Sequence, residues 1–161
     1  MSLVTLREIT EAMHWRTIAE SVALRQEPFP ADVSEFETHW IEAGHRIRGQ
    51  VADDELLANL LRRVLPKYEG DKVTVYRGEN LERWNAGQLG FSWTEKIEVA
   101  RMFGQGLNAT RTGGLLLKGS FAPDSIICGP NKHSAYLQEH QFTIDPSFYK
   151  EIQVIERYPP L

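Results

Sequence analysis

Apolar positions repeat at helical spacing up to about residue 65 and switch to strand-like alternation after about residue 70. Residues 3–25 read as helix with a divided stripe: Leu6, Ile9 and Met13 share one face, and Trp15, Ile18 and Val22 fall on the other. Such a segment is either covered on two sides or bent in its middle. The breaker EPFPAD over 27–32 ends it. Ser34, with Glu37 three residues on, predicts the capping box of a second helix with Phe36, Trp40, Ile47 and Val51 buried. Asp53 or Asp54 caps a third, in which Leu56, Leu60 and Val64 run beside Leu57, Leu61 and Leu65. Pro66 and Gly70 stop it.

From Lys72 the run KVTVYRG alternates as a strand. Further strands are predicted at 90–93, 115–121, 125–128, 140–144 and 152–155, with a short helix, EKIEVARMF, capped by Thr94 and stopped by Gly104. Helices first and strands afterwards predict an α+β fold: a helical part over 1–70 and a mainly β part over 71–161, in one domain.

The 161 residues and 18.4 kDa suit a single domain, and 42% apolar with 25% charged residues is a globular composition. A net charge of -4 argues against a nonspecific nucleic-acid binder. One cysteine, Cys128 in the apolar run SIIC, excludes an internal disulfide and reads as core. No apolar run reaches the ~20 residues of a membrane span, and MSLVTLREIT lacks the pattern of a secretory signal. A cytoplasmic protein without membrane partners is expected. The histidines (14, 39, 45, 133 and 140) show no metal-ligand spacing, so no metal is expected. His45, Arg46, Arg48, Arg62, Arg63 and Lys67 read as solvated helix faces. Neither a G-x-S-x-G elbow nor a phosphate-cradling glycine motif is present.

Three segments carry candidate chemistry. In Val75-Tyr76-Arg77-Gly78 an arginine at a strand end presents a planar fork to a phosphate or carboxylate, and Gly78 admits a ligand to the backbone. In Gly90-Phe91-Ser92-Trp93-Thr94 two hydroxyls two residues apart share a strand face. In Gln138-Glu139-His140-Gln141-Phe142, Glu139 and Gln141 share a face before the apolar strand. Alone, each is an ordinary polar strand end.

In this order the three segments resemble the mono-ADP-ribosyltransferases of the Arg-Ser-Glu class, over residues 72–157. The resemblance implies a split antiparallel sheet core behind a helical layer, with NAD⁺ bound in a cleft between two small sheets. It implies that Arg77 contacts an NAD⁺ phosphate, that Ser92 orders the site beside the catalytic carboxylate, and that Gly78, Trp93, Thr94 and Phe103 line the dinucleotide. It puts Tyr136 and Glu139 in contact with the target. The activity it implies is transfer of ADP-ribose from NAD⁺ to a macromolecular acceptor, protein or nucleic acid, by a bacterial or phage toxin or effector that an antitoxin or inhibitor would restrain.

One position departs from the family pattern. The second acid of its Glu-x-Glu or Gln-x-Glu motif is catalytic, and here Gln141 stands in that place. The amide is nearly isosteric but uncharged. Three explanations stand: a Glu→Gln inactivated variant, a naturally silent pseudoenzyme or binding module, or a one-step shift of register that makes Glu139 the acting group.

Overall fold

The computed structural model describes residues 5–131 and 140–161. It divides into two compact units, Met1–Lys67 and Tyr68–Leu161, so the boundary lies within a few residues of the change in sequence texture.

The first unit is helical. Thr5 caps α1 (Leu6–Glu11) by accepting from the Glu8 amide at 3.1 Å. The segment then bends: Met13 takes a left-handed φ of 57° and is exposed, which resolves the divided stripe. α2 (Trp15–Ala19) follows and passes into a π-helical turn, Glu20–Leu24. Trp15 is fully buried beside Phe29, Phe36 and His39, and its indole N–H donates to Thr10 Oγ1 at 2.9 Å. The cap of α3 (Val33–Val51) is Asp32, not Ser34; its carboxylate accepts from the Glu35 amide at 3.0 Å. Phe36, Trp40, Ile47 and Val51 are buried as expected, and Ala43 marks a kink. Asp53 caps α4 (Asp54–Val64), whose leucines are buried. Leu65 turns extended because Pro66 follows it.

The second unit is a six-stranded antiparallel sheet, in the order β4-β5-β2-β1-β3-β6 among the described residues. Its strands are β1 (Val73–Asn80), β2 (Ser92–Thr94), β3 (Gly114–Phe121), β4 (Ile126–Cys128), β5 (Gln141–Ile144) and β6 (Gln153–Tyr158). The fold is α+β. Two small sheets were expected, but the ladder is continuous; its thinnest join is β1 to β2, which share the single register pair Tyr76 with Thr94. A short helix, α5 (Leu81–Asn85), was not foreseen; Asn80 caps it by accepting from the Glu82 amide at 2.9 Å.

The pleat sorts the sheet into two faces. Val75, Trp93, Leu115, Leu117, Phe121, Ile126, Phe142 and Ile144 form one core cluster. The other face of β1 receives α6 (Ile97–Gln105). The contact is backbone on backbone, since a β-carbon on Gly78 would collide with the Ala100 carbonyl and the Gly104 amide. Gly104 therefore does not stop α6. It lies buried within the helix, where a β-carbon would meet the Leu115 carbonyl and the Tyr158 ring. Cys128 is buried, as its apolar run suggested.

Candidate functional site

Register brings three strands together at one row. Tyr76 of β1 pairs with Thr94 of β2, and Thr94 pairs with Gln141 of β5. Directly paired residues share a face, with β-carbons about 4.5–5.5 Å apart. Ser92, two residues before Thr94, lies on that face too and pairs with Thr143. The row is on the side opposite Trp93 and Phe142, hence opposite the apolar core. Ser92, Thr94 and Gln141, assigned together from sequence, are thus neighbours on one surface. Tyr76, which the sequence reading passed over, joins them.

Gln141 carries an unusual feature. Its Oε1 is sealed from solvent and has no hydrogen-bond partner among the described residues. A buried acceptor left unpaired costs about 1–3 kcal/mol. Thr94 is buried and its hydroxyl accepts from the Lys96 amide at 3.0 Å. Thr94 thereby shapes the entry to α6, while the N-cap position itself is Lys96.

Arg77 is placed differently from the expectation. It shares the core-side face with Val75, opposite Leu117 of β3. Its Nε donates to Glu79 Oε2 at 2.8 Å and its Nη1 to the Ser92 carbonyl at 2.7 Å. Two of its nitrogens are therefore spent inside the protein. Its effect on the row is indirect: it ties β1 to the backbone of β2 at Ser92.

Glu79, fully buried, completes this clasp. Besides Arg77, it accepts from the Gly90 amide at 3.0 Å and the Asn80 amide at 2.9 Å, and Arg83 Nε lies 3.7 Å away. Burial, the largest single influence, would raise its pKa; the Arg77 charge and these hydrogen bonds together outweigh it and hold the carboxyl below the usual range. Gly90 fits against the Arg77 guanidinium only because it has no side chain. The clue to Glu79 in sequence was its i, i+2 spacing from Arg77 on a strand, which puts opposite charges on one face.

The remaining expected residues fall as follows. Gly78 faces α6, so helix backbone occupies the space a ligand would need. Trp93 is a core residue, 1% exposed, its indole N–H donating to the Tyr149 hydroxyl at 2.8 Å. Phe103 is partly buried on α6. Tyr136 and Glu139 lie outside the described residues, as does His133.

Glu95 and His140, which extend the Thr94–Gln141 pairing by one residue on each strand, face each other with Oε1 and Nδ1 3.6 Å apart. Among the described residues no group of His, Cys, Asp or Glu is arranged to hold a metal, and no helix is long and apolar enough to cross a membrane. Comparison with protein-family models, curated proteins and solved structures gives no significant match.

Proposed function

We propose that the chain is an NAD⁺-dependent mono-ADP-ribosyltransferase of the toxin or effector kind, weakened in its present form by the amide at Gln141. The observation that carries this reading is the row itself: Ser92 and Thr94 share one sheet face with Gln141, almost fifty residues on, and the Gln141 acceptor there is buried and has no partner among the described residues.

The chemistry suits these groups. The bond between nicotinamide and ribose C1′ breaks with its electron pair leaving on the nicotinamide nitrogen, and an oxocarbenium-like sugar remains. Groups fixed around the sugar stabilise that charge without reorganising. In this reading Ser92 and Gln141 bind ribose hydroxyls, and Tyr76 borders the same surface. With Arg77 committed to Glu79 and Ser92, holding the dinucleotide phosphates falls to other donors. A nucleophile on the acceptor, or water, attacks C1′ and gives up its proton.

The second reading is a binding module on the same scaffold. The uncharged Gln141 and the internal engagement of Arg77 favour it. Calorimetry with NAD⁺ on the chain as it stands, followed by incubation of the Gln141→Glu protein with labelled NAD⁺ and cell lysate, separates the two. Label transferred to a macromolecule supports the transferase; NAD⁺ binding without transfer or hydrolysis by Gln141→Glu supports the module. Absence of binding, transfer and hydrolysis removes both. Protease and nuclease treatment of labelled product then identifies the acceptor class, which this proposal leaves as protein or nucleic acid.

A further inference from the structure

We infer that Lys118 is the cation that holds the phosphates of the dinucleotide, with the nicotinamide ribose over β2 and β5 and the pyrophosphate over β1 and β3. The inference rests on the NAD⁺-dependent reading above. It fills the phosphate contact that Arg77, committed inside the protein, does not make.

The row does not end at Tyr76. Tyr76 pairs with Lys118 of β3 as well as with Thr94, and Lys118 pairs with Gln153 of β6. With Thr94 paired to Gln141, the register sets Gln141, Thr94, Tyr76, Lys118 and Gln153 side by side across five strands. Directly paired residues share a face. Alternation within β3 places the lysine independently: Leu115 and Leu117 belong to the core cluster, so Lys118 stands on the opposite side, with Tyr76, Thr94 and Gln141. Neighbouring strands lie about 4.8 Å apart, so three strand steps, about 14 Å, separate Lys118 from Gln141. Lys118 and Tyr76 are both partly exposed, and α6, seated on Gly78, borders the row on one side.

The ordinary roles of a strand lysine do not account for this one. Lysine is common on edge strands, where it blocks pairing with another chain. β3 is not an edge, being bonded to β1 on one side and β6 on the other. Lys118 follows three consecutive buried leucines, Leu115 to Leu117. It takes part in no ion pair or hydrogen bond among the described residues. Glu156, which shares its face through the pairing with Leu116, gives both oxygens to Arg101, and its Oε1 also accepts from the Tyr158 hydroxyl. On the other side of the row the paired Thr74 and Ser120 are neutral, and their hydroxyls bond each other at 3.1 Å. The three ammonium donors are thus uncommitted, and Lys118 is the only charged residue of the row. One free cation toward one end and an acceptor without a donor, Gln141 Oε1, at the other suit a long ligand with an anionic middle and a hydroxyl-bearing sugar.

The experiment measures NAD⁺ affinity by calorimetry at low and moderate salt, alongside thermal melting, for the full chain, Lys118→Gln, Lys118→Arg and Gln141→Glu. Lys118 makes no bond among the described residues, so its variants should melt within a few degrees of the parent. The inference expects Lys118→Gln to weaken NAD⁺ binding about 10- to 100-fold at low salt, the scale of one charge-assisted hydrogen bond. The remaining affinity should depend less on salt than that of the parent. Lys118→Arg keeps the charge and should stay within a few-fold. ADP-ribose, which carries the same pyrophosphate without nicotinamide, should lose affinity to Lys118→Gln by a similar factor. NAD⁺ binding by the parent that Lys118→Gln leaves unchanged overturns the role of Lys118 while leaving the functional reading intact. So does an equal loss in Lys118→Gln and Lys118→Arg, which would mark packing rather than charge. Failure of both the parent and Gln141→Glu to bind NAD⁺ overturns the functional reading, and this inference with it.

Discussion

At the scale of single residues, the proposed function turns on the amide at Gln141, where the resemblance to the family expects an acid. Gln141 Oε1 is buried without a donor among the described residues, and the hydroxyl of its cross-strand partner Thr94 accepts from the Lys96 amide. If the proposed transferase reading holds, a carboxylate at 141 adds charge beside the developing cation. Gln141→Glu should raise nicotinamide release by about 10²–10³-fold, the scale of a single electrostatic group in an active site. It should also lower stability by about 1–3 kcal/mol, because a charged group left unpaired in the same buried position costs more than the neutral amide. Nicotinamide release and urea unfolding on the same preparation check both; a more stable variant with unchanged release would refute the assignment of position 141. Strand alternation alone puts Ser92 and Thr94 on one face, whereas the resemblance supplied Gln141 and only strand pairing sets it beside Thr94. The sequence did not disclose that Arg77 turns inward. The i, i+2 relation to Glu79 was visible, but whether a strand-end arginine faces ligand or a buried acid depends on strand pairing, which no local pattern encodes.

At the scale of elements, glycines divide into those that permit a packing and those that merely weaken a helix. Gly78 belongs to the first kind: α6 lies directly on it, and a methyl group there meets helix backbone, which cannot swing away. Gly78→Ala should cost about 3 kcal/mol, the upper part of the range for overpacking, and lower the melting temperature by roughly 6–12 °C for a chain of this size. Gly49 belongs to the second kind. It is exposed in α3 with nothing within 4 Å of a would-be β-carbon, so Gly49→Ala should stabilise by about 0.5–1 kcal/mol through helix propensity. Melting curves of the two variants should move in opposite directions, and equal shifts would contradict the packing of α6 on β1. The same distinction explains what sequence reading missed among the helices. Gly104 looks like a stop signal in one dimension, yet it is a contact surface in three. Ser34 offers a capping box, but Asp32 forms the cap two residues earlier. The divided stripe at the start left two readings, cover on two sides or a bend, and the left-handed Met13 supplies the bend.

At the scale of the whole chain, stability should carry an acid limb centred on one buried carboxyl. Glu79, Glu27 and Glu156 all have lowered pKa values: Glu79 because its pairing with Arg77 and two amides outweighs burial, Glu27 chiefly through the Ser21 hydroxyl, and Glu156 chiefly through Arg101. The latter two sit in solvent, where screening leaves exposed pairs with little net effect. Glu79 is sealed, so the protonation balance of folding in acid falls mainly on it. A carboxyl whose folded pKa lies below its unfolded value of about 4.5 contributes stability that is complete above that value and fades as pH drops through the lower, folded one. Removing the acid while leaving Arg77 in place breaks a buried pair, at about 3–5 kcal/mol for Glu79→Ala at neutral pH. Glu79→Gln keeps an acceptor and should cost less. The difference between parent and Glu79→Gln should narrow steadily between about pH 5 and pH 2, because protonation converts the parent into a neutral equivalent of the variant. Because the chain forms two compact units, the readout should be local to the second: the indole N–H resonance of Trp93, whose hydrogen bond to Tyr149 lies in the same sheet core. A parent-to-variant gap that stays constant across that pH range would mean that Glu79 does not govern acid unfolding, and that the clasp joining β1 to Ser92 is maintained by Arg77 and the backbone alone.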